Sequence, residues 1–349
     1  MSHIFIGNKK IGDHYPCFII AEAGVNHNGN LKLAKKMVDV AREAHADAIK
    51  FQTFHAEDVV IKSAGKAEYQ KKTTGTDESQ YEMIKKLELS ERKIFDLAQY
   101  ARTKNMMFLS TPFDIRSVDY LNSLGIPAFK IPSGEITNFL LLSHIAKKQK
   151  PVILSTGMAT INEIKTAVDV LCRNGSPRIA LLHCITSYPA EIRHLNLRFI
   201  HTLRKTFKCP IGFSDHSLGI LGSIVAVAMG ACIIEKHFTL DKALPGPDHK
   251  ASLDPGELSS LVEGIRQIEQ AKGTGIKIMT SGETEILGIA RRSIVSVKNI
   301  RAGAIIHPTM ITLKRPGTGI DPSFFDSLIG KKTKVRIPKD TLISWDMVE

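Results

Sequence analysis

The sequence predicts a (β/α)8 barrel followed by a small β-rich domain, and three observations carry that expectation. Eight short apolar stretches within the first 240 residues each end on a polar or charged group: FIIAEAGVNHNG, DAIKFQTF, MFLSTPFD, FKIPSGE, VILSTGM, LLHCITSYP, IGFSDHS and IIEKHF. Helix-period patterns separate most of them, and after residue 275 the pattern changes to short β-like runs. Buried parallel strands read as continuous apolar runs because both faces are covered. α/β barrels collect their reactive groups at the carboxyl ends of such strands.

Glu22, Gln52, Ser110, Ser133, Ser155, His183, Asp215 and Lys236 mark the expected strand ends. Beyond the first, Leu33, Met37, Val40, Ala41 and Ala44 fall on one helical face, with Lys35, Lys36, Asp39, Arg42 and Glu43 mostly off it. Ser90 precedes a helix whose apolar face is Ile94, Leu97, Ala98 and Ala101. Thr160 and Glu163 form a capping box, Ile164, Ala167, Val168 and Leu171 continue it, and Gly175 stops it. Alternating strands and helices imply a parallel sheet. Eight such units match the roughly 250 residues of a closed barrel better than an open doubly wound sheet. AEAGVNHNG, after the first strand, lacks the glycine spacing of a dinucleotide-binding turn.

The barrel is assigned to residues 1–280, and a linker with the small domain to 281–349. GTGIKIMTSGETE reads as linker, and SIVSV, IIHPTMITL, KKTKVRI and TLISW read as short strands broken by Gly, Pro, Asn and Asp. A domain of that size is too small to be strongly stable alone.

Composition agrees with a cytoplasmic enzyme. Cys17, Cys172, Cys184, Cys209 and Cys232 are scattered, odd in number and mostly within apolar runs, which reads as reduced core thiols. No secretory signal or long apolar span is present, so no membrane role is expected. The net charge of +12 is spread over helices and interleaved with Asp and Glu, which argues against nucleic acid. An anionic small substrate accounts for a basic protein, as does a solvated basic surface.

AEAGVNHNG, IKFQTF, FLSTPFD, FKIPSGE, LSTGM, LLHC, GFSDHS, EKHFTLDK, PGPDHKAS and KRPGTGI, in this order, resemble the sialic acid synthase family across essentially the whole chain. The resemblance implies a TIM barrel followed by an antifreeze-like (SAF, β-clip) domain. It implies condensation of phosphoenolpyruvate with an open-chain N-acetylmannosamine-type sugar, giving a nine-carbon 2-keto acid and phosphate. It further implies a divalent metal, Mn2+ or Mg2+, and a homodimer in which the small domain covers the partner's barrel.

Chemistry supports that expectation residue by residue. An aldehyde electrophile calls for a Lewis acid. His216 and His237 end adjacent strands, match the family's metal ligands, and leave open positions for substrate. Attack by an enol ether leaves positive charge that a carboxylate must stabilise while water adds; Glu22 matches the family residue in that role. The resemblance assigns Lys50, Thr111, Lys130, Ser133 and Ser155 to the phosphate and carboxylate of phosphoenolpyruvate, with Ser110 and Thr111 also able to cap the helix after Pro112. It assigns Gln52, Glu135, Tyr188 and Asp248 to the sugar, and Arg315 to the neighbouring subunit's site.

Two departures bear on the acceptor. Thr186 stands where some members have asparagine, and KKTTGTDES lacks an asparagine expected after the second strand. N-acetylmannosamine, giving N-acetylneuraminate, and 2,4-diacetamido-2,4,6-trideoxymannose, giving N,N'-diacetyllegionaminate, therefore both stay open. Two rivals of other classes are a Schiff-base aldolase using a strand-end lysine and a non-catalytic carbohydrate-binding protein.

Overall fold

A computed structural model describes residues 3–349. The chain divides into two compact units, the first ending at Gly273 and the second spanning Thr274–Glu349. Strands of the first unit are β1 (Ile4–Ile6), β2 (Lys9–Ile11), β3 (Phe18–Gly24), β4 (Ala48–Thr53), β5 (Met107–Pro112), β6 (Phe129–Ile131), β7 (Val152–Ser155), β8 (Ile179–Cys184), β9 (Ile211–Asp215) and β10 (Ile233–His237). Its helices are α1 (Leu31–Glu43), α2 (Ala56–Val59), α3 (Glu68–Thr74), α4 (Gln80–Leu87), α5 (Glu91–Thr103), α6 (Ile115–Ser123), α7 (Phe139–Ala146), α8 (Ile161–Arg173), α9 (Phe199–Thr206), α10 (Leu221–Ala228) and α11 (Pro255–Ala271).

Strands β3–β10 form one sheet in the order β5-β4-β3-β10-β9-β8-β7-β6, with every described ladder parallel. β5 and β6, the ends of that order, lie beside each other without a ladder, so the sheet closes as a TIM-type near-barrel. α5 and α8 begin where the sequence signals them, and α1 has a cap of its own. Asn30 accepts the Lys32 and Leu33 amides to cap α1, Ser90 caps α5, and Thr160 with Glu163 closes both halves of a capping box on α8. Their apolar stripes, such as Met37, Val38 and Ala41 or Leu97, Ala98 and Ala101, bury against the outward face of the strands.

The inward face holds a second, smaller core. Phe18, Ile20, Ala48, Leu109, Ala128, Ile153, Ala180, Leu182 and Ile233 fill the barrel's lower interior, and Ile4, Ile6 and Ile11 of the β1–β2 hairpin pack into the same cluster. The hairpin thus plugs the amino-terminal end. Side chains alternate with a period of two along a strand, so the next inward positions above this layer are where β3, β4, β6 and β10 place Glu22, Lys50, Lys130 and Glu235.

The second unit contains α12 (Ser281–Ala290), β11 (Ser293–Ser296), β12 (Ile311–Lys314) and the one-turn α13 (Phe325–Leu328). Its core is largely isoleucine, including Ile294, Ile300, Ile306, Ile320, Ile337 and Ile343. The runs KKTKVRI and TLISW pair through single bridges, such as Ile300 with Ile337 and Val295 with Leu342, rather than as full strands. Part of the expected linker is helical, because Thr280 and Glu283 form a capping box that starts α12. No helix among the described residues is long and apolar enough to cross a membrane.

Ile6 is completely buried in the plug. Ile6→Ala is expected to lower unfolding stability by about 2–5 kcal/mol, as for other large-to-small core changes, measured by denaturant titration.

Candidate active site

Above the apolar layer the barrel interior becomes charged. Lys50 Nζ lies 2.9 Å from Glu22 Oε2 and 3.8 Å from Glu235 Oε2, while Lys130 Nζ lies 3.3 Å from Glu235 Oε1. All four residues are at most 4% exposed. The backbone register sets this up: Glu22 stands opposite Lys50 on one side and His237 on the other. Lys50 also donates to Thr111 Oγ1 at 2.7 Å, Gln52 Nε2 donates to Glu22 Oε1 at 3.4 Å, and Ser214 Oγ donates to Glu235 Oε1 at 3.3 Å.

The two carboxylates are driven apart. Burial pushes Glu22 up to about 7, with the Lys50 ammonium opposing. Burial also acts on Glu235, but Lys130 and Lys50 outweigh it and hold that carboxyl below its ordinary value. Burial lowers Lys130, with Glu235 opposing. A carboxyl that titrates near neutrality beside one that stays ionised is an arrangement suited to proton transfer.

These residues line a cavity of about 150 Å³ together with Ser133, Ser155, His216 and His237. That volume is well below the roughly 300–1,000 Å³ of drug-sized sites, which suits a compact acid. Its wall carries unanswered polarity: Ser155 Oγ, Glu22 Oε2, Glu235 Oε2 and His237 Nδ1 are buried without a hydrogen-bond partner, though the carboxylate oxygens sit in the ion pairs above. Buried polar groups are otherwise almost always paired, so these atoms mark a place for a polar ligand.

At the rim, the His216 and His237 rings are 5.5 Å apart between centroids. His216 Nδ1 lies 2.8 Å from the Ile185 carbonyl, which fixes the proton there and turns Nε2 inward, 3.1 Å from the Tyr188 hydroxyl. Burial, then His216 and Lys50, holds His237 well below its ordinary value, so its imidazole is neutral. At Gly24 (φ +53°), a Cβ would come within 3.4 Å of His237 Cε1, Gln52 Nε2 and Glu22 Oε1, so glycine keeps this corner open. His216 and His237 thus bring two imidazoles to one corner of the cavity, a donor type that divalent cations take.

One group of three among the described residues brings ligand atoms within 4.8 Å of one another and could also hold a cation: His55, Asp58 and Asp114. Asp114 there accepts the Ser117 amide at 2.6 Å, the Ser117 hydroxyl at 2.8 Å and the His55 amide at 2.9 Å. It caps α6, a role the sequence had offered to Ser110 or Thr111.

Of the expected residues, Glu22, Lys50, Gln52, Thr111, Lys130, Ser133, Ser155, Tyr188, His216 and His237 come together on the cavity wall. Asp248 is buried nearby in the loop that includes Pro247, and its charge reaches Tyr188. Glu135 lies off that wall, half-buried, accepting from Asn138 Nδ2 at 2.7 Å. Arg315 follows β12 in the second unit and is exposed. Glu235, Cys184 and Ser214 line the cavity without having been singled out from the sequence. The signal for Glu235 was present: it lies two residues before His237, on the same strand face. Conversely, several polar strand ends face outward. Lys236 pairs with Asp215 at 3.0 Å, His183 meets the Leu195 carbonyl at 2.7 Å, and Ser110 bonds Thr53 at 2.7 Å, all as structural contacts.

The NeuB family model matches residues 37–277 and the SAF domain model matches residues 291–349. The N,N'-diacetyllegionaminic acid synthase of Campylobacter jejuni is 51% identical over 327 residues, covering 93% of this chain and 98% of that one. The enzyme of the same name from Legionella pneumophila is 47% identical over 347 residues, covering 98% of each. Among solved structures, an N-acetylneuraminic acid (sialic acid) synthetase from Leptospira borgpetersenii superposes with a TM-score of 0.72 at 39% identity, covering 81% of this chain and 94% of that one. With charged barrel interior, histidine rim and relatives of this similarity over nearly its full length, the chain belongs to the NeuB family and carries a SAF domain at its carboxyl end.

Proposed function

We propose that the protein condenses phosphoenolpyruvate with an open-chain 2-acetamido sugar of the mannose series, releasing phosphate and forming a nine-carbon 2-keto acid. The observation that carries this reading is the buried Glu22–Lys50–Glu235–Lys130 cluster beside two histidines in a cavity sized for a small acid. Identity of 51% and 47% to two diacetyllegionaminic acid synthases favours 2,4-diacetamido-2,4,6-trideoxymannose as acceptor over N-acetylmannosamine.

Lys50 and Lys130 supply positive charge to the phosphate and carboxylate, and the hydroxyls of Thr111, Ser133 and Ser155 donate to their oxygens. The methylene carbon of phosphoenolpyruvate attacks the sugar aldehyde, a carbon–carbon bond forms as the double bond opens, positive charge develops at the neighbouring carbon that bears the phosphate, and the aldehyde oxygen ends as a hydroxyl with the proton that Glu22 draws from the added water. Glu22 stabilises that charge and takes a proton from the water that adds there; a pKa near 7 lets it do so close to neutral pH. The resulting tetrahedral centre gives its hydroxyl proton to the departing phosphate as the carbon–oxygen bond to phosphate breaks, which leaves the 2-keto group. His216 and His237 would hold a divalent metal, Mn2+ or Mg2+, which when bound polarises the aldehyde oxygen. Gln52, Glu135, Tyr188 and Asp248 orient the sugar. Arg315 reaches the site of the partner subunit in a homodimer and binds an acyl or hydroxyl oxygen of the sugar.

Phosphate release is expected only when phosphoenolpyruvate and an acetamido sugar are both supplied. A chelator should abolish it and Mn2+ restore it, while the His216→Ala/His237→Ala double variant should fail to recover and should lose Mn2+ binding by calorimetry. Pyruvate release from a nine-carbon keto acid, with borohydride trapping at Lys50 or Lys130, would instead support the aldolase.

Sharing of sites is tested by mixing. Arg315→Ala and Glu22→Gln proteins are each expected to lose about a hundredfold or more in kcat. Subunit exchange between them should regain activity, because a mixed dimer holds one site with both defects and one with neither. If exchange is demonstrated and no activity returns, each arginine serves its own barrel.

Asp248 gives a pH signature. Burial raises its carboxyl from 3.8 to about 6, with His216 opposing. A raised folded pKa contributes stability fully below the unfolded value and loses it as pH rises through the folded one. Between about pH 4 and pH 6 the wild type should therefore lose about 2 kcal/mol relative to Asp248→Asn, read by denaturant unfolding across that range.

A further inference from the structure

An aromatic ladder runs from His216 through Tyr188 at the cavity mouth to Tyr69, a ring with no part in the chemistry above. Tyr188 stacks on His216 with ring centroids 4.1 Å apart and stands edge-on to His237 at 5.7 Å. Tyr69 stacks on Tyr188 in turn, at 5.2 Å and an interplanar angle of 24°. Tyr69 is half-buried on α3, two residues before the KKTTGTDES stretch that departs from the family pattern. The same helix is tied to the Asp248 loop, because Thr73 Oγ1 donates to the Pro247 carbonyl at 3.4 Å. Phe113 adds a further ring to the cavity wall.

The reacting aldehyde must sit beside His216 and His237, where it can meet the enol carbon. Tyr69 lies beyond the cavity wall proper, so an open six-carbon chain anchored there would bring its far half, C4 to C6, to this ring by running outward past Tyr188. An aromatic face suits a methyl group or the methyl of an acetamide. It suits hydroxyls poorly, since these lose water and gain no partner on such a face.

We propose that Tyr69 determines acceptor specificity: its ring contacts the distal half of the open-chain sugar and favours a 4-acetamido-6-deoxy chain over one with hydroxyls at C4 and C6. The assignment rests on the condensation proposed above.

Steady-state kinetics of the full-length protein with Mn2+ and phosphoenolpyruvate test it, using 2,4-diacetamido-2,4,6-trideoxymannose and N-acetylmannosamine with wild type, Tyr69→Phe and Tyr69→Ala. The wild type should prefer the diacetamido sugar. Tyr69→Ala should lower kcat/KM for that sugar by about tenfold, mainly through KM, and change kcat/KM for N-acetylmannosamine by less than about threefold, consistent with pocket contacts to one or two small groups. Tyr69→Phe should keep the wild-type ratio, and KM for phosphoenolpyruvate should not move in either variant. An equal loss for both sugars, or a raised KM for phosphoenolpyruvate, overturns the assignment and makes Tyr69 a prop for Tyr188. A wild type that prefers N-acetylmannosamine, or uses both equally, overturns it while leaving the condensation intact. Release of phosphate with neither sugar removes the condensation itself, and this assignment with it.

Discussion

Two buried carboxylates and two buried ammonium groups sharing the upper interior of one barrel constrain the rest of the first unit. Each charge is tolerable only because the others are within reach: Lys50 lies between Glu22 and Glu235, and Lys130 completes the set on Glu235. Breaking a buried pair by removing one partner typically costs about 3–5 kcal/mol, because the remaining charge is left uncompensated. Such a cluster adds little net stability compared with an apolar core of the same volume. A barrel that retains it does so for the ligand it admits, and the unpaired Ser155 hydroxyl and the unpaired His237 nitrogen on the same wall are the complementary half of that arrangement.

The surrounding architecture serves to hold these four groups in register. Parallel ladders fix Glu22 between Lys50 and His237, and a ladder with one shift near Gly24 leaves the corner that the rim histidine and Gln52 face. Outside the sheet, the apolar stripes of α1, α5 and α8 supply the main core, so the interior needs to contribute only a thin layer of Phe, Ile, Leu and Ala. Division of labour between an outer core that stabilises and an inner surface that binds is what allows so much polarity at the barrel centre.

Much of this was legible from residues alone. The eight strands, the caps at Ser90 and Thr160, and most of the cavity wall follow from apolar runs, capping chemistry and family motifs. What was not legible depended on side-chain direction. A polar group ending an apolar run can face the interior or the helices, and only the two-residue alternation separates Glu235 and His237 from Lys236 between them. Reading run ends without that parity selected Lys236, Asp215 and His183, which turn outward into structural bonds, and passed over Glu235. Tyr69 was missed for another reason. Its place beside Tyr188 is a contact across 119 positions of sequence made through an irregular segment, where no local period carries information.

The hairpin plug has a kinetic corollary. With Ile4, Ile6 and Ile11 sealing the floor, the barrel is a blind well with a single mouth. Whatever binds among Lys50, Lys130 and Ser155 at the bottom must enter before anything that occupies the Tyr188 rim, and cannot leave until the rim clears. The plug thus leaves the Tyr188 side as the approach to the deep groups, which favours loading the deep reactant first.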